Sequence, residues 1–146
     1  MLIDGSTHLN NDKTYLIPIL GSITADMPIS EQPDILGYEE MNVSWKKQGE
    51  FIALKIKGDS MLPELKDDDT VIIKLQPTIE NGKIGVAQVS SNEYTIKKII
   101  FNNDGVTLMP LNIQGGYNPL FFHNNKNEEL PIKPIGILAE IRRRFL

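Results

Sequence analysis

A serine at the junction between a strand and a turn is the first candidate for chemistry in this chain. Ser60 lies in residues 58–61 (GDSM), which follow an alternating apolar stretch and open a short helical turn. At such a junction the hydroxyl is exposed and backbone N–H groups lie nearby, as an oxyanion hole requires. A serine at this position is equally suited to cap a helix. The local pattern therefore permits a nucleophile but does not distinguish it from a cap.

A serine nucleophile needs a general base, and a lysine is the best candidate in this sequence. The two histidines, His8 and His123, have no recognisable triad context. Lys97 and Lys98 lie in the apolar run of residues 94–100 (YTIKKII). Burial of an unpartnered ammonium favours its neutral form, which can accept a proton. Alternation along the strand does not decide which lysine points inward, and both reach solvent if the strand is an edge strand.

The remaining polar clusters are interpreted as surface features. The chain has no cysteine, which excludes a disulfide, a thiolate metal site and a catalytic thiol. Residues 67–69 (DDD) lack the spaced oxygen ligands and the glycine of a calcium loop, so they predict a solvated acidic turn. Residues 142–144 (RRR) predict a solvated strand end, with contact to phosphate or to an acidic partner as the alternative. We expect no metal and no cofactor.

The elements that must position Ser60 and the lysines are short strands. No long apolar stripe recurs at helical spacing, whereas several short β-branched or alternating runs are bounded by turn signals. Residues 91–92 (SN) indicate a tight hairpin between two of these runs. The sequence therefore predicts a mostly-β fold with one short helical turn after Ser60. The predicted strands are residues 51–57, 70–75, 84–90, 93–101, 106–109 and 135–145.

Length and composition predict one domain preceded by an arm. The chain has 146 residues and a net charge of −4, and residues 1–14 are polar and lack periodicity. We expect a flexible arm over residues 1–14 and one domain over residues 15–146. The acidic balance disfavours a surface devoted to nucleic acid. The apolar stretch of residues 15–20 is too short for a membrane span, so we expect a cytoplasmic protein without membrane contact.

A set of short motifs extends from about residue 15 to residue 145 in a characteristic order. Together they resemble the S24 serine peptidases, a family that comprises the self-cleaving LexA-type repressors, their phage-repressor relatives and the UmuD mutagenesis proteins. The resemblance implies a LexA/signal-peptidase-like β-fold. The motifs are residues 20–28 (LGSITADMP), 51–61 (FIALKIKGDSM), 67–74 (DDDTVIIK), 85–87 (GVA), 95–99 (TIKKI), 108–112 (LMPLN) and 136–145.

The resemblance assigns roles to individual residues. It implies that Ser60 is the nucleophile and that Lys97, the lysine after Thr-Ile, is the general base. The backbone N–H groups of Asp59 and Ser60 would form the oxyanion hole. The substrate would be the protein's own chain, with the scissile bond between Ala25 and Asp26.

One position of the cleavage-site region, residues 20–30, departs from the family pattern. Asp26 stands where the family has glycine, and its Cβ disfavours a tight turn. Its carboxylate would also lie beside a developing oxyanion and would favour the protonated form of Lys97. The sequence therefore allows two alternatives. Either the bond between Ala25 and Asp26 is cleaved efficiently, or the dyad is present but does not cleave.

The resemblance further implies a regulatory protein. We expect the dimerisation and self-cleavage domain from the C-terminal part of a LexA- or phage-type transcriptional repressor, forming a homodimer through residues 135–145. A RecA filament would stimulate cleavage, or an antirepressor would bind instead, and DNA would be bound only by a helix-turn-helix domain outside this chain. The alternatives are a free-standing UmuD-like protein and a binding module that does not cleave. Residues 37–40 (GYEE) favour the repressor over UmuD.

Overall fold

Short strands account for most of this computed structural model, which describes residues 13–21, 34–90, 93–125 and 131–145. The mostly-β fold predicted from the sequence is confirmed. Two 3₁₀ helices, η1 (Val43–Gln48) and η2 (Ile113–Gly115), lie among the strands. The strands are β1 (Thr14–Leu20), β2 (Ile35–Asn42), β3 (Phe51–Lys55), β4 (Thr70–Leu75), β5 (Ile84–Ser90), β6 (Glu93–Asn102), β7 (Gly105–Met109), β8 (Leu120–His123) and β9 (Lys133–Arg142).

The strands form one sheet in the order β2-β1-β3-β4-β9-β5-β6-β7-β8. The pairing of β1 with β3 is parallel and the other pairings are antiparallel. The β-branched run of residues 70–75 forms β4 as predicted, and the pair β5–β6 flanks the predicted hairpin. The hairpin residues 91–92 themselves lie outside the described residues. This order places β6, which carries the two candidate lysines, next to β5 and β7.

The main apolar cluster lies directly beneath the loop that carries Ser60. Met61 and Leu65 of this loop are 2% and 0% exposed. They pack with buried side chains of β3, β4 and β5, among them Ile52, Val71 and Val86. Full burial of one such side chain stabilises the fold by about 1.5–3 kcal/mol. Two buried anchors therefore fix a loop whose polar residues are mostly exposed.

The acidic and basic runs are not the simple solvated features that the sequence predicted. Asp69 is 2% exposed, and its two carboxylate oxygens accept hydrogen bonds of 2.7 Å from Arg143 Nε and Nη2. Arg142 forms ion pairs with Glu39 and Glu140. Asp69, Arg142 and Arg143 depart from the two predictions, because their partners across the sheet lie 74 and 103 residues away in sequence, where no local pattern records them. Asp67, Asp68 and Arg144 fit the predictions, because all three are exposed, with 86% of the Asp68 side chain and 82% of the Arg144 side chain accessible.

A dimer that pairs β9 edge to edge would need this closing strand to lie at the edge of the sheet along its whole length. Only part of β9 does so. The first part of β9 lies between its two neighbours, with Gly136 paired to Leu75 of β4 and to Val86 of β5. From Leu138 to Arg142 the strand pairs with β4, and no second strand among the described residues pairs with it there. The homodimer through residues 135–145 stays a prediction, and only the latter half of the strand has a side available for it.

The predicted arm lies outside the described residues except for Lys13 and Thr14. Thr14 is the first residue of β1 and pairs with Asn42 of β2, so the sheet begins one residue earlier than the predicted domain boundary. Among the described residues, no helix has the length and apolar character that a membrane crossing would require.

Candidate active site

Ser60 lies in a loop between β3 and β4 that is closed at its base by backbone hydrogen bonds. Ile56 N–H donates to the Asp69 carbonyl over 2.9 Å, and Asp68 N–H donates to the Ile56 carbonyl over 2.8 Å. The predicted helical turn after Ser60 is a single turn, in which Leu65 N–H donates to the Met61 carbonyl over 3.0 Å. The loop is thus held at both its base and its turn.

Gly58, two residues before Ser60, has a backbone conformation that glycine adopts more easily than other residues. Gly58 has φ of 84°, a value that L-residues rarely adopt. Its N–H donates over 2.7 Å to Asp67 Oδ1, which returns from the other side of the loop. One member of the predicted acidic turn therefore fixes the approach to Ser60.

Lys97 is half-buried on β6, opposite Gly85 of β5. Its ammonium donates over 2.8 Å to Thr95 Oγ1 and over 3.1 Å to the Ile96 carbonyl. Desolvation by burial lowers the pKa of Lys97 from its ordinary value. Among the described residues, burial is the cause that dominates this shift. Lys97 is therefore easier to deprotonate than a lysine in water.

Ser60 and Lys97 line the same cavity, whose volume is about 360 Å³. Lys98, the other candidate that the sequence left open, is not part of this lining. Among the described residues, the Lys97 ammonium donates to Thr95 and Ile96 and not to Ser60. The rest of the lining is mainly apolar and comes from β1, β3, β5, β6 and the loop that carries Ser60, with Leu54, Val86 and Ile96 among its members. An apolar lining lowers the local dielectric, which strengthens the influence of nearby dipoles on charge.

The segment that follows β7 contacts the backbone of Ser60 from outside this cavity. The N–H groups of Leu111 and Asn112 donate to the Ser60 carbonyl over 3.1 and 3.0 Å. Asn112 Nδ2 donates to the Asp59 carbonyl over 2.9 Å, and the Tyr117 hydroxyl donates to Asp59 Oδ1. This hydrogen bond raises the pKa of Tyr117. Sequence reasoning missed Asn112 and Tyr117 as site residues, although the motif of residues 108–112 marked the segment.

The bond predicted to be cut, between Ala25 and Asp26, lies outside the described residues. The residues on either side of the segment 22–33 are described and meet at the cavity. Gly21 lines the cavity next to Leu20, and its N–H donates over 2.9 Å to the Asp34 carbonyl. The two ends of the segment that contains the predicted bond are therefore joined beside Ser60 and Lys97.

The two histidines take no part in this cavity within the described residues. His123 ends β8, where its ring meets Phe121 edge-on with centroids 4.6 Å apart. His8 lies outside the described residues. Among those that are described, no group of three or more His, Cys, Asp or Glu side chains is placed to hold a metal ion.

A mostly-β domain with a serine and a half-buried lysine in one mainly apolar cavity is typical of a class of serine peptidases. The family comparison agrees with the geometry, because residues 18–136 match the model of the Peptidase S24-like family. The chain belongs to this family, and the resemblance drawn from the sequence is confirmed.

Three relatives of known name are LexA repressors. The protein from Pelagibacter ubique is 31% identical over 141 residues, covering 96% of this chain and 58% of the relative. The protein from Shouchella clausii is 30% identical over 122 residues, covering 83% of this chain and 58% of the relative. The protein from Herpetosiphon aurantiacus is 32% identical over 134 residues, covering 86% of this chain and 61% of the relative. The chain thus spans less than two thirds of each relative.

Proposed function

We propose that this chain is the self-cleaving part of a LexA-type repressor, with Ser60 as nucleophile and Lys97 as general base. The observation that carries the proposal is that Ser60 and a half-buried lysine of lowered pKa line one cavity in a Peptidase S24-like domain. The substrate is the protein's own peptide bond between Ala25 and Asp26. Support for this choice comes from the hydrogen bond between Gly21 and Asp34, which joins the ends of the segment 22–33 beside the cavity.

In the first step Ser60 becomes acylated. The neutral amine of Lys97 takes the proton of Ser60 Oγ as this oxygen attacks the carbonyl carbon of Ala25. The N–H groups of Asp59 and Ser60 stabilise the negative charge on the carbonyl oxygen. The C–N bond then breaks, and the Lys97 ammonium returns its proton to the departing amino group of Asp26. The products are an ester on Ser60 and a chain that begins at Asp26.

In the second step water hydrolyses the ester. Lys97, neutral again, takes a proton from a water molecule while the oxygen of that water attacks the ester carbon. The C–O bond to Ser60 breaks, and its electron pair returns to Ser60 Oγ. The proton on Lys97 goes to Ser60 Oγ. Ala25 is left with a free carboxyl group, which loses its proton to solvent, and the dyad is restored.

The predicted cleavage site is attached to the domain at both of its ends. This attachment raises the cleavage rate even if Ser60 and Lys97 are not strongly reactive. A peptide bond tethered at Gly21 and Asp34 has a high effective concentration at the cavity, whereas a free peptide must be captured from solution. We therefore propose that the reaction is intramolecular. The cut would separate every residue before Asp26 from the domain.

A second candidate is a binding module that keeps the dyad but does not cleave. The hydrogen bonds of Lys97 to Thr95 and Ile96, in place of Ser60, favour this candidate, as does Asp26 in the cleavage-site region. Cleavage requires a rotation of the Lys97 side chain toward Ser60 within the cavity. Release of the fragment that begins at Asp26 separates the two candidates.

The role in transcription and its partners are part of the same proposal. The three relatives are named repressors, and the chain matches only part of each. We place it in the C-terminal part of such a repressor, with DNA bound by a domain outside this chain. The partners proposed from the resemblance are a second copy of the chain and either a RecA filament or an antirepressor. A free-standing UmuD-like protein is the alternative to a repressor.

The pH dependence of cleavage tests the proposal. Because only the neutral Lys97 amine can act as the base, the rate should rise about tenfold per pH unit below the pKa of Lys97 and then level off. The lowered pKa moves this plateau below the range of an ordinary lysine. Intact-mass measurements on the purified chain, sampled from about pH 7 to about pH 10, give the rate of fragment release. A rate that does not change with pH, or a wild-type chain that never releases the fragment, contradicts the proposal.

Replacement of Asp26 is expected to accelerate cleavage. Asp26→Gly removes a Cβ that resists a tight turn and a carboxylate that opposes the oxyanion. A gain of about 1 kcal/mol corresponds to about a fivefold faster release of the fragment at constant pH. Asp26→Asn is the matched control, because it removes the charge and keeps the Cβ. If Asp26→Gly is no faster than wild type, Asp26 does not limit the reaction.

A further inference from the structure

The segment between β7 and β8 contacts the peptide groups on both sides of Ser60 through two residues, Leu111 and Asn112, here called the clamp. The Asp59 carbonyl accepts from Asn112 Nδ2 over 2.9 Å and, within its own turn, from Leu62 N–H over the longer distance of 3.2 Å. The Ser60 carbonyl accepts from the N–H groups of Leu111 and Asn112. We infer that Asn112 is a positioning residue that aims the Ser60 N–H into the oxyanion hole. This inference rests on the proposed function and adds a residue to it.

Peptide geometry carries the argument. The peptide bonds before and after Ser60 are trans. In a planar trans peptide the N–H points away from the preceding carbonyl. A carbonyl of Asp59 that is directed toward Asn112 therefore directs the Ser60 N–H to the opposite side. The same relation holds for the Ser60 carbonyl and the N–H of Met61.

The cavity shared by Ser60 and Lys97 does not include the clamp. Its lining includes Gly58, Ser60 and Met61, but none of the clamp residues. The clamp therefore holds the carbonyls from outside, and the Ser60 N–H is directed toward the space in which a substrate carbonyl would sit. Preorganised donors of this kind stabilise a transition state because they do not have to reorient as charge develops.

The clamp is itself fixed in place. Asn112 Oδ1 accepts from Gly115 N–H over 3.1 Å, so the amide is anchored by its oxygen and its NH₂ group is left for Asp59. A Cβ added at Gly115 would lie 2.6 Å from Asn112 Nδ2, which shows how closely the short helix η2 surrounds the amide. The segment is anchored at both ends, since β7 and β8 pair with each other. Asn112 is thus set by the sheet and acts on Ser60 through Asp59.

The Tyr117 hydroxyl contacts the same residue in a different way. It donates to the side chain of Asp59 and not to its backbone. Loss of this hydroxyl leaves the two peptide groups in position. Tyr117 is therefore not part of the clamp, because it does not hold either carbonyl.

Asn112→Asp tests the inference in the full chain. The aspartate keeps the oxygen that accepts from Gly115 but replaces the NH₂ donor with an oxygen that faces the Asp59 carbonyl. Loss of one oxyanion-hole donor typically costs about 10²–10³ in rate, so we expect a reduction of at least about tenfold for a misdirected donor. The midpoint of the pH–rate profile should stay that of wild type, since Lys97 is untouched. Gly115→Ala displaces the Asn112 amide and should lower the rate in the same way.

A matched control separates this role from a structural one. Gln114→Glu makes the same amide-to-carboxylate change on η2 and should keep the wild-type rate. The melting temperature of each variant reports the fold. If Asn112→Asp cleaves at the wild-type rate, or if its pH midpoint shifts, the inference is overturned while the proposed function stands. If the wild-type chain does not cleave, the proposed function fails and the inference fails with it.

Discussion

Removal of either member of the dyad is expected to lower the rate of cleavage between Ala25 and Asp26 by at least about 1000-fold. Ser60→Ala removes the oxygen that forms the ester, and Lys97→Met removes the base while keeping an apolar side chain of similar length. Neither substitution should unfold the domain. Lys97→Met in particular removes an amine whose protonated form is disfavoured by burial, so stability near neutral pH should not fall. Intact-mass time courses at alkaline pH, with thermal melts of each variant, provide the measurement.

The neighbouring lysine supplies the matched control. Lys98→Met makes the same chemical change one residue further along β6, where the side chain does not line the cavity. It should cleave at a rate close to that of wild type. If the Ser60→Ala chain still loses its arm, another group or a contaminating protease cuts the chain and the dyad proposal is wrong. If Lys98→Met abolishes cleavage and Lys97→Met does not, the base has been assigned to the wrong lysine.

The parts of the fold that could be predicted are those with a strong local pattern. Residues 70–75 consist largely of β-branched and apolar side chains between an acidic turn and a proline, and they form β4 with the predicted bounds. By contrast, β8 (Leu120–His123) is short and follows glycine, asparagine and proline, so no strand was predicted there. It forms because it pairs with β7. Its existence is a consequence of the sheet and not of its own sequence.

The candidate site likewise has residues that the sequence indicates and residues that only the structure shows. Ser60 is indicated because its neighbours mark a junction between a strand and a turn. A lysine is indicated because charge is unexpected in an apolar run. The choice of Lys97 over Lys98 came from the resemblance, since alternation alone left both open. Only the structure shows which one lines the cavity with Ser60. Asn112 acts on Asp59 across 53 residues through a backbone carbonyl, and such a contact leaves no periodic trace.

Arg142 is the clearest case of an interaction that the local sequence conceals. It ends β9, yet its Nη1 donates over 2.9 Å to Glu39 Oε1 and over 2.8 Å to the Glu40 carbonyl, both on β2. Its Nε donates over 2.6 Å to Glu140 Oε2. In the sheet β2 and β9 are not neighbours. Arg142 therefore joins the edge of the sheet to a strand in its middle, and Glu39, which is 8% exposed, depends on it for charge compensation.

Arg142→Met is expected to destabilise the domain by about 3 kcal/mol, because it leaves the Glu39 carboxylate buried without its close partner. For a chain of this length the loss corresponds to a melting temperature lower by about 10 °C. Chemical denaturation at neutral pH measures the free energy of unfolding. Arg144→Met is the matched control: its side chain is 82% exposed and lies 3.8 Å from Glu39 Oε2, so its removal should have little effect.

A double-mutant cycle with Glu39→Gln then identifies the source of the loss. If the cost arises from an uncompensated carboxylate, Arg142→Met should be much less harmful in the Glu39→Gln chain, because the neutral amide needs no cation. A loss that is equal in both backgrounds would assign the stability to the packing of the arginine stem or to its bond with the Glu40 carbonyl. An Arg142→Met chain as stable as the Arg144→Met chain would mean that water replaces the arginine at no cost. In that case the ion pair would not be what joins β9 to β2.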